Sequence, residues 1–160
     1  MILILDTETT GITPQDRIVS ISWGCYNADG GLMVNSHHIV RPDGFLIPSA
    51  AAAVHKITTE QARRCGVALA GVLRELEETL ARYRPQLYVG HNVAFDRPIV
   101  LNEYSRVQMS ESLSRLPTVC TMKEGVGVCR IPRSRGGGFK WPKLAELHRQ
   151  LFGSVHQGAH

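Results

Sequence analysis

The stretch ILILDTETTG (residues 2–11) begins with four aliphatic side chains and then becomes acidic. The aliphatic run predicts a short buried strand, and Asp6 and Glu8 follow at its end. Because strand side chains alternate between two faces, Asp6 and Glu8 share one face while Thr7 takes the other. Two carboxylates placed together repel, and each is costly to remove from water without a partner. The sequence therefore predicts a core strand that ends in a site for positive charge.

A third carboxylate belongs to the stretch GHNVAFD (residues 90–96), where a predicted strand ends, Gly90 lets the chain turn, and Asp96 falls in the first turn of a helix. If the strand at 86–92 pairs beside the strand at 2–6, Asp96 faces Asp6 and Glu8, since ligands of α/β proteins gather beyond the strand ends. Oxygen-only donors suit Mg²⁺ or Mn²⁺ and not zinc, and two such ions can hold a phosphodiester and activate a water. Taken singly, Asp-x-Glu fits turn chemistry and Asp96 fits an acid favoured by the helix dipole. The combination of the two stretches favours a metal site.

The remaining pattern predicts three strands in succession and then helices alternating with strands, which defines a mixed-sheet α/β domain. Strands are expected at 17–27 and 32–42 around an ADGG turn. Leucines spaced by three and four residues give the clearest helix, at 69–83. Pro48 and the alanines after it predict a loop, and a short helix capped by Thr58 or Thr59 is expected within 55–62. A strand at 86–92 and a helix from Asn92 to about Val107 follow, and Pro98 should disturb the first turns of that helix. The last expected elements are a strand at 118–122, a glycine-rich basic loop directly after it, and a helix from Pro142.

Length and composition fit one domain over residues 1–160. The hydrophobic share of 43% with 20% charged residues argues against disorder. The net charge of +4 permits a nucleic-acid partner without establishing one. The four cysteines show no metal-ligand spacing, the N-terminus has no signal-peptide pattern, and no apolar run approaches the ~18 residues that span a membrane. We therefore expect reduced cysteines, a cytoplasmic location and no membrane partner.

The motifs DTETTG and GHNVAFD resemble the first two motifs of the DEDDh family of 3′–5′ exonucleases, which includes polymerase proofreading subunits. The stretches VHKIT (54–58), CTMK (120–123) and KWPKLAEL (140–147) resemble segments at matching places in proofreading-type members. The resemblance implies a three-layer ribonuclease-H-like fold, with a mixed sheet of about five strands whose first three are antiparallel. It implies Asp6, Glu8 and Asp96 as catalytic ligands of two Mg²⁺ or Mn²⁺ ions. The implied activity is hydrolysis at the 3′ end of single-stranded DNA or RNA, DNA being favoured, with release of nucleoside 5′-monophosphates; a DNA polymerase is a candidate partner.

The family's third motif, His-x4-Asp, supplies a general base and a fourth metal ligand. The sequence ends GSVHQGAH (153–160), and a Gly-Ala-His run favours His160 as the base, with the aspartate at position 165. A second register starts the motif at His156 and puts the acid at position 161. Both acids would follow the last residue given, so we expect an exonuclease domain without the end of this motif, with weak metal binding and low activity. The alternative is an inactive module of the same fold that binds single-stranded 3′ ends or a polymerase.

On the substrate side, the resemblance implies that the backbone at Thr9, together with Ile12, cradles the terminal nucleotide. It implies that His55 lies near the terminal base or sugar, although a core histidine is equally expected there. Asn92 is a further substrate-side candidate, or it shapes the turn before Asp96. The stretch from Arg130 to Lys143 has five basic residues and no acid, with Phe139 and Trp141 interleaved. This composition suits phosphates and unstacked bases, or else a solvated loop with both aromatics in the core. The candidate strand contacts in it are Arg133, Arg135 and Lys140.

Overall fold

The computed structural model describes residues 1–154, which form a five-stranded mixed sheet in the order β3-β2-β1-β4-β5. Strands β1, β2 and β3 pair antiparallel, whereas β4 and β5 run parallel to β1. This arrangement confirms the predicted α/β class and the antiparallel first three strands. The strands are β1 (Ile2–Thr9), β2 (Ile18–Tyr26), β3 (Leu32–Ile39), β4 (Leu87–Gly90) and β5 (Thr118–Cys120).

The helices are α1 (Ser49–His55), α2 (Thr59–Cys65), α3 (Leu69–Tyr83), α4 (Val93–Arg106), α5 (Thr121–Cys129) and α6 (Leu144–Phe152), with a short 3₁₀ turn at Leu113–Arg115. The helix predicted at 69–83 has the predicted bounds. The Thr58 side chain caps α2 by accepting a hydrogen bond from the Gln61 N–H at 3.1 Å. Within residues 1–154, no helix is long and apolar enough to cross a membrane.

The two faces of strand β1 have different surroundings, one in the core and the other at a cleft. Leu3 and Leu5 are buried and join the main core with residues of α3 and α4, such as Leu76 and Ile99. Ile4, on the opposite face, is 43% exposed, and this face opens on a cleft bordered by α5 and α6. A second, smaller cluster joins Val19 of β2 to residues of the segment 45–62. The alternation that places aliphatic side chains in the core therefore also aims the odd-numbered threonines inward and the acids toward the cleft.

Two helices occupy segments that we expected to be loops, and both predictions were wrong. The alanines after Pro48 form α1, because alanine favours helix even where a segment is too short to show an apolar period. The α5 helix follows β5 directly, although Gly125 and Gly127 disfavour it locally. Gly125 lies so close to α6 that an added Cβ would be 3.0 Å from Leu147 Cδ1. Tertiary packing thus stabilises a helix that local propensity opposes.

The α4 helix continues through Pro98, where we expected a disturbance of its first turns. A proline removes the hydrogen bond to the residue four positions earlier, and here that residue is Ala94, in the first turn. The loss is therefore confined to the beginning of the helix. Asn92 precedes α4 in the left-handed conformation (φ 77°), and its side chain makes no capping hydrogen bond. Asn92 therefore shapes the turn before α4 and does not cap the helix with its side chain.

Candidate active site

The end of β1 carries Asp6 and Glu8 into a cleft of about 960 Å³. Parallel pairing of β1 with β4, which aligns Ile4 with Val89, brings the turn after β4 to the same edge of the sheet. This pairing meets the condition under which we expected Asp96 to approach Asp6 and Glu8. The cleft is lined by residues from β1, the β4–α4 turn, α5 and the start of α6: Ile4, Leu5, Asp6, Thr7, Glu8, Val89, Gly90, His91, Asn92, Thr121, Met122, Trp141, Pro142, Lys143 and Leu144.

Asp96 lies behind this cleft, only 2% exposed, in the first turn of α4. Its Oδ1 accepts two hydrogen bonds from Thr7, one from the backbone N–H at 3.0 Å and one from the hydroxyl at 2.7 Å. Burial raises the pKa of Asp96 to about 7, with a further contribution from the nearby charge of Asp6, while the Thr7 hydrogen bonds oppose the shift. The negatively charged form of Asp96 is therefore disfavoured at this site.

The pKa of Asp6, at the cleft surface, is also raised. Although its side chain is exposed, the cleft walls displace water, and this desolvation raises its pKa, while the neighbouring His91 lowers it. Burial raises the pKa of the Tyr88 hydroxyl most, and the negative charges of Asp96 and Asp6 raise it further. The hydroxyl is buried and, among residues 1–154, has no hydrogen-bond partner.

These observations test whether the carboxylates suit a divalent cation. The donors are oxygen atoms, and the pKa values of both Asp6 and Asp96 are raised by burial, a cost that a cation would relieve. The chemistry of the donor set therefore fits Mg²⁺ or Mn²⁺. Within residues 1–154, however, no three His, Cys, Asp or Glu side chains lie close enough to hold a metal ion. The predicted convergence of Asp6, Glu8 and Asp96 as a ligand set thus stays a prediction.

His91 connects the cleft to the elements on its far side. Its Nδ1 lies 3.0 Å from the Thr121 hydroxyl at the start of α5, and its Nε2 lies 3.1 Å from the Pro142 carbonyl oxygen just before α6. Neither contact could be predicted, because the partners are 30 and 51 residues away in the sequence. Thr7 was missed for a related reason: the strand period places it on the face opposite Asp6, and only the fold brings Asp96 to that face.

The substrate-side candidates surround β1 and the loop after it. Thr9 is buried and donates its hydroxyl hydrogen bond to the Gly11 carbonyl at 2.6 Å, and Ile12 is 88% exposed in the following loop. His55 is 7% exposed at the end of α1, where burial lowers its pKa and the Thr9 backbone opposes the shift. It therefore has the burial of a core histidine and lies beside a predicted substrate contact.

The basic stretch before α6 is exposed over most of its length. Arg133 and Arg135 are exposed, while Lys140 forms an ion pair with Glu146 at 2.7 Å. Phe139 and Trp141 are 42% and 59% exposed, so the alternative that placed both aromatics in the core is wrong. His160 and the alternative base His156 lie outside the described residues 1–154. All four cysteines are free thiols, as predicted.

The sheet has the order β3-β2-β1-β4-β5, with acids at the end of β1. Residues 3–157 match the RNase_T family, described as Exonuclease. The chain belongs to this exonuclease family. Exodeoxyribonuclease 10 of Escherichia coli strain K12 is 34% identical over 101 residues, which are 62% of this chain and 40% of that protein.

Two solved complexes of E. coli Exonuclease I show the same fold. The complex with a dT13 oligonucleotide has a TM-score of 0.79 at 19% identity, covering 99% of this chain and 37% of that one. The complex with a 5cy-dA13 oligonucleotide has a TM-score of 0.76 at 18% identity, covering 98% of this chain and 36% of that one. These similarities confirm the ribonuclease-H-like fold. The chain spans well under half the length of each of these proteins.

Proposed function

We propose that this chain is the catalytic domain of a metal-dependent exonuclease that removes nucleotides from the 3′ end of single-stranded nucleic acid. The observation that supports it most is the pair of carboxylates with raised pKa values, Asp6 in the cleft and Asp96 behind it, in a chain of the exonuclease family. Exodeoxyribonuclease 10 is named for action on DNA, and the Exonuclease I structures hold DNA oligonucleotides, so DNA is the favoured substrate.

We assign Asp6, Glu8 and Asp96 to the metal site. Two Mg²⁺ or Mn²⁺ ions would supply Lewis acidity and charge neutralisation for phosphodiester hydrolysis. The Thr7 backbone N–H and hydroxyl hold Asp96 in place through its Oδ1. In the proposed reaction, water attacks the phosphorus of the last phosphodiester and the bond from that phosphorus to the 3′ oxygen of the preceding nucleotide breaks. A nucleoside 5′-monophosphate leaves, and the 3′ oxygen takes a proton from solvent to become the new 3′ hydroxyl.

The remaining assignments follow from the predicted motifs. His160 would take the proton from the attacking water, as a neutral imidazole can near neutral pH. Thr9, Ile12 and His55 would contact the terminal nucleotide, and Asn92 would shape the turn before α4. A cytoplasmic location and a DNA polymerase partner stay predictions.

The alternative function is a binding module that captures single-stranded 3′ ends or a polymerase without cutting. The buried carboxylate of Asp96 favours the enzyme, because a module without catalysis gains nothing from a carboxylate buried at such a cost.

The test is digestion of 5′-labelled single-stranded DNA and RNA with Mg²⁺ or Mn²⁺ present. We expect a ladder that shortens from the 3′ end, faster on DNA, and no ladder with Asp6→Ala. The variant should stay folded, because Asp6 is at the cleft surface and its charge is disfavoured there. Metal-dependent cleavage by Asp6→Ala would sink the mechanism, and single strands bound without cleavage would favour the module.

A further inference from the structure

Residues 131–140 form a small basic hairpin between α5 and α6. The Lys140 N–H donates to the Ile131 carbonyl at 2.8 Å, and the Arg133 N–H donates to the Gly138 carbonyl at 3.2 Å. Gly136 and Gly138 have positive φ values, which allow the tight tip. The side chain of Arg133 donates its Nε–H to the Phe139 carbonyl at 3.1 Å, and Arg135 has no hydrogen bond or ion pair to residues 1–154. The basic hairpin therefore offers arginine charge to a partner.

Trp141 follows the basic hairpin on a backbone that is fixed on both sides. Before it, the Lys140 ammonium lies 2.7 Å from both carboxylate oxygens of Glu146. After it, the Pro142 carbonyl lies 3.1 Å from His91 Nε2. The indole is nevertheless 59% exposed. A large aromatic side chain that is held in place yet left in water is suited to contact a flat partner.

Trp141 also borders two cavities. One is the cleft that contains Asp6 and Glu8, and the other, of about 570 Å³, lies along the basic hairpin. The residues of the second cavity are Pro132, Arg133, Ser134, Arg135, Lys140 and Trp141. A chain that leaves the carboxylates past Trp141 therefore enters a cavity that has arginines in its wall.

We propose that Trp141, Arg133 and Arg135 form a second subsite, which binds nucleotides upstream of the 3′ end. This inference rests on the proposed function. A base stacks on the Trp141 indole, and the two guanidinium groups neutralise phosphates on its 5′ side. Lys140 supports the subsite through Glu146 and makes no phosphate contact of its own, because its ammonium is held by that carboxylate.

Stacking on an indole tolerates any base, and phosphates are common to all sequences, so this subsite selects by length and not by sequence. A trinucleotide whose last nucleotide is held at the carboxylates has at most two nucleotides left for this subsite, whereas a longer strand can fill it and gain both kinds of contact. The subsite would therefore raise affinity for long single strands and hold them between successive cleavages.

The test measures binding of a dT trinucleotide and a dT twelve-mer to the full chain in EDTA, using tryptophan fluorescence. The twelve-mer should bind more tightly and quench the emission of Trp141, since the only other tryptophan, Trp23, is 3% exposed. Trp141→Leu should remove the quenching. It should also weaken twelve-mer binding by about 5- to 150-fold, which the anisotropy of a labelled strand measures. Arg133→Ser with Arg135→Ser should lower the slope of log affinity against log salt by about 1.4.

The matched control is Arg64→Ser, which removes an exposed arginine of α2 and should change neither the affinity for the twelve-mer nor its salt dependence. The proposal fails if the twelve-mer binds no better than the trinucleotide, or if quenching persists in Trp141→Leu. It also fails if poly-glutamate displaces the twelve-mer as well as an unlabelled twelve-mer does, because an acidic peptide would then be the partner. Binding in EDTA needs no turnover, so a failed nuclease assay and a failed subsite give different results.

Discussion

At the scale of single residues, Asp96 links the stability of the chain to pH. Its pKa is about 7 in the folded protein against 3.8 in the unfolded chain, so the folded state holds the proton more tightly between these values. Stability from this group therefore falls as pH rises from about 4 to about 7. We expect Asp96→Asn, whose amide oxygen can still accept from Thr7, to be more stable than the parent at pH 8 by about 1–4 kcal/mol in EDTA.

The same comparison at pH 4 supplies the internal control. At pH 4, close to the unfolded pKa of 3.8, the folded parent carboxyl is protonated and the unfolded one is about half protonated, so the difference between parent and Asp96→Asn should shrink to below about 1 kcal/mol. Urea unfolding at pH 4, 6 and 8 measures it. A difference that stays constant across this range would show that Asp96 titrates normally and that burial does not govern its charge.

The sequence predicted individual residues where a local period carries the information. Asp6 and Glu8 were placed on one strand face by alternation, and the structure confirms that Asp6 and Thr7 lie on opposite faces. Thr7 and His91 could not be assigned their contacts, since Asp96 and Pro142 reach them only through the fold. Tyr88 reads as an ordinary core aromatic in sequence, and only burial of its hydroxyl near two acids sets it apart.

At the scale of elements, the sequence was reliable where hydrophobic periodicity was long or regular. The helix at 69–83 was found because its leucines repeat at spacings of three and four, and the first three strands were found because an aliphatic run marks β1 and an ADGG turn separates β2 from β3. The α1 and α5 helices were missed because one is short and alanine-rich and the other contains two glycines. Their stability comes from contacts with other elements, which a local pattern does not contain.

Contact between α5 and α6 at Gly125 gives the next prediction. A Cβ there would lie 3.0 Å from both Leu147 Cδ1 and Pro142 Cγ, so Gly125→Val must push α6 outward. We expect a loss of about 1–3 kcal/mol in the free energy of unfolding, measured in urea. Because Pro142 also contacts His91, the same variant should weaken binding of the dT twelve-mer.

Gly127→Val is the matched control for this change. It makes the same change in helix propensity, which is slightly favourable because glycine is the poorer helix former, but nothing lies within 4 Å of its added Cβ. Its free energy of unfolding should stay near that of the parent. Equal losses in the two variants would mean that close packing of α5 on α6 at Gly125 is not responsible.

At the scale of the whole molecule, the cleft depends on parts of the chain that are far apart in sequence. The β1 strand supplies the acids, α4 supplies the buried carboxylate, and α5 and α6 close the other side through His91 and Trp141. A ligand that binds this assembled cleft stabilises every element at once, because only the folded chain has the site.

Metal binding should therefore raise the melting temperature of the chain. If Mn²⁺ binds at Asp6 and Glu8, a concentration of 100 times its dissociation constant adds about 2.7 kcal/mol, or roughly 5–10 °C in a chain of this size. The double variant Asp6→Asn with Glu8→Gln should lose this shift, while Asp29→Asn, in the exposed turn before β3, should keep it. Thermal unfolding with and without Mn²⁺, and after EDTA, measures each shift. An equal rise in the double variant would mean that Mn²⁺ binds elsewhere on the molecule, because removing both cleft charges would then have left metal binding unchanged.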